Sequence, residues 1–72
     1  MNAYDEQAER DHLINEASKL FPNSTISLEY GDQYEEIHLY IDGARYTFNV
    51  GSDDDVFVFY AGNNRIVIPA LD

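Results

Sequence analysis

Apolar residues alternate with polar ones from Ile37 to Phe48, and the alternation breaks only at Asp42-Gly43. A period of two marks a strand with one buried face. Asp-Gly supplies cheaply the positive φ that a type I′ turn requires at both central positions. Tyr34 to Val50 therefore reads as one β-hairpin. It pairs Ile41 with Ala44, Leu39 with Tyr46 and Ile37 with Phe48 on the inner face, and Tyr40 with Arg45 and His38 with Thr47 outside. A slip of one residue would turn the apolar row out to water, so turn and pattern check one another.

The same reading extends to both sides of the hairpin. Ala3 to Phe21 reads as the only helix, with Asn2 as N-cap, Asp5 three residues on and Pro22 as the stop. Leu13, Ala17 and Leu20 form its apolar line, with Ile14 and Phe21 alongside. Traced backwards, the line meets Arg10 and Glu6, so the first half of the helix is expected to overhang the core. Asn23 to Tyr30 alternates as a half-buried strand with Ile26, Leu28 and Tyr30 inward, and Gly31-Asp32-Gln33 turns the chain. After Val50, the connection Gly51-Ser52-Asp53-Asp54 places Phe57 and Phe59 on the buried face, level with Phe48 and Tyr46. That strand is apolar on both faces, and a loop one residue longer would send Val56, Val58 and Tyr60 inward instead. A last hairpin turns at Gly62-Asn63, sets Phe59 against Ile66, Phe57 against Ile68 and Tyr60 against Arg65, and ends at Pro69, which has no amide donor.

Short connections make sequential strands neighbours, which gives an α+β fold: one N-terminal helix packed on an antiparallel meander sheet of four to five strands, all within a single compact domain, residues 1–72. The topology also sorts the charges. If the first strand runs upward, Asp5, Glu6, Glu9, Glu29, Asp32, Glu35, Glu36, Asp53, Asp54, Asp55 and Asp72 collect toward the top, whereas Lys19, Arg45 and Arg65 fall toward the bottom.

Composition sharpens that picture. The 72 residues carry 14 acidic and 4 basic side chains, a formal net charge of −10, beyond the magnitude of about 2 to 8 that serves solubility in a small domain. Such a charge repels nucleic-acid phosphates and anionic membranes and favours basic protein surfaces. The absence of cysteine removes disulfides and thiolate metal sites, so stability must come from packing. The start MNAYDEQAERDH lacks the basic and apolar regions of a signal peptide, and no apolar run approaches the roughly 18 residues of a membrane span, so a cytoplasmic protein is expected.

Catalytic chemistry finds no support. His12 and His38 fall on outward faces as exposed polar residues without a Ser or Cys partner at a recognisable spacing. Glu35 and Glu36 point to opposite sides of a strand, which is poor geometry for an acid and base pair. Asp53-Asp54-Asp55 lacks the alternating oxygen ligands, glycine and final glutamate of an EF-hand loop, so neither a metal nor another cofactor is expected. Asn23-Ser24-Thr25 matches a glycosylation acceptor that would go unused in a cytosolic chain. Tyr40 with Arg45 and Tyr60 with Arg65 suit cross-strand cation–ring stacking. Tyr40, Val58, Tyr60 and Val67 leave an apolar area outside, available to a partner or a second copy unless Pro69 to Leu71 cover it.

The acidic constellation is the remaining candidate. Carboxylates two apart on a strand are about 6.7 Å apart and four apart on a helix about 6 Å, near two rises of about 3.4 Å along one DNA strand, so they can stand in for phosphates. The bland counterpart is a solvated acidic surface, with Asp5, Glu6 and Glu9 explained by the positive end of the helix dipole. Small size, strong acidity, lack of cysteine, a compact α+β frame and clustered carboxylates together resemble the small inhibitors of phages and mobile elements, the anti-CRISPR proteins and DNA-mimic inhibitors. The resemblance is a whole-chain profile without a motif match. It implies a non-enzymatic inhibitor in the host cytoplasm, a monomer or weak homodimer that binds no nucleic acid directly. Its implied partner is a basic nucleic-acid-binding protein, in particular a CRISPR-Cas subunit. Immunity proteins that neutralise basic nuclease toxins share the profile, and a structural interaction module with an acidic surface is the third class.

Overall fold

The Asp42-Gly43 turn forms with φ of 52° and 87°, the left-handed pair that its sequence suits. Around it, in a computed structural model that describes residues 6–32, 36–49 and 55–70, one helix, α1 (Glu6–Leu20), packs on five strands. These are β1 (Ile26–Tyr30), β2 (Ile37–Ile41), β3 (Ala44–Phe48), β4 (Val56–Ala61) and β5 (Asn64–Pro69). The order β1-β2-β3-β4-β5 is the expected antiparallel meander. The expectations for Asn2, Ala3, Asp5, Tyr34, Glu35, Val50, the connection Gly51 to Asp54, Leu71 and Asp72 lie outside the described residues.

The central register is as read: Ile41 opposes Ala44, Leu39 opposes Tyr46, Tyr40 opposes Arg45 and His38 opposes Thr47. Ile37, Leu39 and Ile41 are buried, while Ala44, at the end of the row, is exposed. The last hairpin is also as read, with Phe59 opposite Ile66, Phe57 opposite Ile68 and Tyr60 opposite Arg65. Val56 opposes Pro69, and one further bond, from Ala70 N–H to Asp55 O at 2.9 Å, closes the ladder.

The β3–β4 pair departs from expectation. Phe48 opposes Phe59 rather than Phe57, a shift of two residues. Two residues preserve the face, so Phe59 is fully buried, Phe57 half-buried against the core, and Tyr60 turned outward at 40% exposure. The inward alternative for Val56, Val58 and Tyr60 is overturned with it. Phe48 still touches both rings, at 5.6 Å from Phe57 and 5.7 Å from Phe59, in the tilted geometry that aromatic quadrupoles favour.

The helix differs in two ways. Leu13 and Ala17 are fully buried, yet Leu20 is 53% exposed. The buried line continues by a step of four to Phe21, whose N–H makes a 2.9 Å bond to Ala17 O, so Leu20 falls on the solvent side. The first half of α1 does not overhang freely. Arg10 donates to Leu28 O at 3.0 Å and lies 5.2 Å from the centre of the Tyr30 ring, and His12 Nε2 donates to Pro69 O at 2.6 Å. Residues 10 and 12 lie about 200° apart around a helix, so they reach opposite edges of the sheet, β1 and β5.

Asp42 has a second role. Its Oδ1 accepts from Thr25 N–H at 2.9 Å, and its own N–H donates to Thr25 O at 2.9 Å, tying the turn to the segment that enters β1. The Thr25 amide first and the Ser24 side chain second hold its carboxyl below the usual carboxylate range. A folded pKa lowered from the unfolded one gives stability that is complete above the unfolded value and lost as pH falls through the folded value. The gap in urea midpoint between wild type and Asp42→Ala should therefore narrow on acidification from neutrality to about pH 3. Asp42→Asn, which keeps the acceptor and tolerates the left-handed backbone, should show a smaller gap throughout; a gap that widens on acidification would contradict this account.

Candidate functional site: an acidic end with tethered carboxylates

Among the described residues, Glu9, Glu29, Asp32, Glu36 and Asp55 belong to the end where β1 meets β2 and β4 begins. A 2.8 Å bond from Gly31 N–H to Glu36 O closes the β1–β2 connection, leaving Asp32 exposed in the turn. A Cβ at Gly31 would meet the Glu36 carboxylate, the far end of a flexible and partly exposed side chain that can move aside, so packing does not by itself require glycine there. Glu6 enters as the first residue of α1. Asp5, Glu35, Asp53, Asp54 and Asp72 lie outside the described residues.

Three of the carboxylates are held by side chains that the sequence reading had not assigned to them. Tyr30 OH donates to Glu9 Oε1 at 3.0 Å, and Tyr40 OH donates to Glu29 Oε1 at 3.1 Å. The second contact is a diagonal one, since Glu29 opposes His38 and Tyr40 opposes Ser27, so it could have been found once the β1–β2 register was known. Glu36 Oε2 lies 3.3 Å from His38 Nε2, while Thr47 Oγ1 lies 3.5 Å from His38 Nδ1. A neutral imidazole protonated on Nε2 satisfies both contacts. The expectation of an exposed His38 is thereby corrected: its side chain is 14% exposed, enclosed by its strand neighbours. His12 is likewise engaged, at Pro69 O.

The sorting of charge runs along a diagonal rather than purely end to end. Glu29, His38, Thr47, Tyr60 and Arg65 form one continuous cross-strand row, which places a cation in the row of an acid but four strands away, about 19 Å at strand spacing. That exceeds the roughly 8 Å Debye length of physiological salt. Arg45 and Arg65 lie beside the two tight turns, and Lys19 makes a 2.9 Å ion pair with Glu16 in the last turns of α1. Among the described residues, Arg10 is the cation at the acidic end, and its partners there are a carbonyl and a ring rather than a carboxylate. The cation–ring contact among the described residues is this one; Tyr40–Arg45 and Tyr60–Arg65 are register neighbours only. On the outer face Tyr60 and Val67 are exposed at 40% and 44%, whereas Tyr40 and Val58 are half-buried.

Among the described residues no group of three His, Asp or Glu side chains gathers as a metal site, and no helix is long and apolar enough to cross a membrane. Compared with protein-family models, curated proteins and solved structures, the chain matches none.

Proposed function

We propose that this protein is an anti-CRISPR-like inhibitor that places its acidic end in a basic DNA-binding surface of a CRISPR-Cas effector, as a mimic of DNA. The observation that carries the reading is the tethering of Glu29 by the Tyr40 hydroxyl. A hydroxyl fixes a carboxylate without cancelling its charge, whereas a Lys or Arg partner would neutralise it. Fixed anions lose less side-chain freedom on meeting a cationic groove, and the net charge of −10 draws that groove in. The role is binding, without turnover, and requires no cofactor.

The test is capture of the partner followed by competition with its DNA. Under this reading the captured protein is a Cas subunit, and target DNA and this protein exclude one another. A ternary complex of effector, DNA and this protein would overturn mimicry. Capture of a nuclease toxin would instead identify an immunity protein, and a lack of any basic partner would leave a structural module. Tyr40, Val58, Tyr60 and Val67 are assigned to the rim of the same contact or to weak self-association.

A further inference from the structure

An open meander has two edges, and the register identifies which backbone groups each leaves outward. In an antiparallel pair, residues that exchange hydrogen bonds alternate with residues that do not. Gly31 N–H bonds Glu36 O and Asp42 N–H bonds Thr25 O. Both pairs lie on the β1–β2 register, so Glu29 and Ser27 also bond inward, and Ile26, Leu28 and Tyr30 turn their backbone groups away from β2. On β5 the bond from Ala70 N–H to Asp55 O fixes the parity in the same way, so Arg65, Val67 and Pro69 face outward. The carbonyls taken by α1 are one from each outward set: Leu28 O by Arg10 and Pro69 O by His12.

From this coincidence we propose that α1 is a guard for both sheet edges, and that Arg10 is the residue that stops β1 from pairing with β1 of a second copy. Leu28 is the middle residue of β1, so its carbonyl is one an incoming strand must use. The Arg10 guanidinium, bonded to that carbonyl and resting near the Tyr30 ring, stands where that strand would lie. The β5 edge is protected differently, by a proline that lacks a donor, by His12 on its carbonyl and by the charge of Arg65. Exposed edges without such devices template strand addition.

The experiment is sedimentation velocity over a concentration series, with hydrogen exchange on the same samples. Arg10→Ala should raise the self-association constant over wild type by about tenfold or more. Protection should appear at the Ile26 and Leu28 amides as the complex forms. Arg10→Met, which keeps the stem over Tyr30 and removes the donors, should behave alike and serves if Arg10→Ala does not fold. Arg10→Lys, which restores a donor, should stay close to wild type. Leu39→Ala, a cavity in the interior strand β2, should lose stability without gaining association. The proposal is overturned if Arg10→Ala and Arg10→Met sediment as wild type does, if Leu39→Ala associates as strongly as they do, or if the new protection bypasses β1.

Discussion

Phe59→Ala is expected to leave much of the protein unfolded under conditions in which wild type is folded. Phe59 is fully buried, opposite Phe48 on one side and Ile66 on the other, so its loss removes a large apolar side chain and opens a cavity between three strands. Such truncations cost about 3–5 kcal/mol, and a domain of this length has a total of only about 4–11 kcal/mol at the usual stability per residue. Urea unfolding followed by circular dichroism measures the effect. Phe57→Ala makes the comparison informative, because Phe57 is half-buried, diagonal to Phe48, and should cost clearly less. Had the strands paired as the sequence suggested, with Phe57 opposite Phe48, the two losses would be similar. Equal midpoints for the two variants would therefore contradict the register described above.

That register separates what was legible in the sequence from what was not. Where two strands join through two residues of fixed turn chemistry, as at Asp42-Gly43 and Gly62-Asn63, the turn sets the pairing and every partner follows. Between Phe48 and Val56 the connection is longer and contains no such signal. Alternation then fixes which face is buried but not how far along the neighbour a residue sits, because a shift of two leaves every side chain on the same side. The helix line was legible to within one step, failing at Leu20, because residues three and four beyond Ala17 are equally apolar and only the docked orientation chooses between them. The polar contacts of Arg10, Tyr30 and His12 were not legible at all. Each joins residues 18 or more positions apart through the way α1 docks across the edge strands β1 and β5, and that docking has no signature in a binary pattern. For the site, the acidic composition was evident from the outset; the hydroxyl tethers that fix Glu9 and Glu29 emerged only with tertiary structure.

Those tethers also separate two contributions that charge counting merges. Changing Asp53, Asp54 and Asp55 together to Asn removes three negative charges, so under the proposed function association with the effector should slow on the order of tenfold at low salt. The difference from wild type should shrink as salt rises, since screening removes what the mutations remove. Tyr40→Phe leaves the charge untouched and frees the Glu29 carboxylate from its 3.1 Å bond. Its expected signature is different: affinity weaker by roughly two- to fivefold, the worth of one modest hydrogen bond, with the salt dependence of wild type retained. Glu16→Gln serves as the control, because Glu16 is paired with Lys19 away from the acidic end. Asp42 is unsuitable for that purpose, since it holds the hairpin turn to Thr25. Surface-plasmon measurements over a salt series resolve the three variants. If Glu16→Gln slows association as much as the triple aspartate change, attraction is a property of net charge alone and no oriented acidic end is being read. If Tyr40→Phe binds as tightly as wild type, the hydroxyl tether contributes nothing, and the fixed-anion basis of the mimicry fails even where inhibition is real.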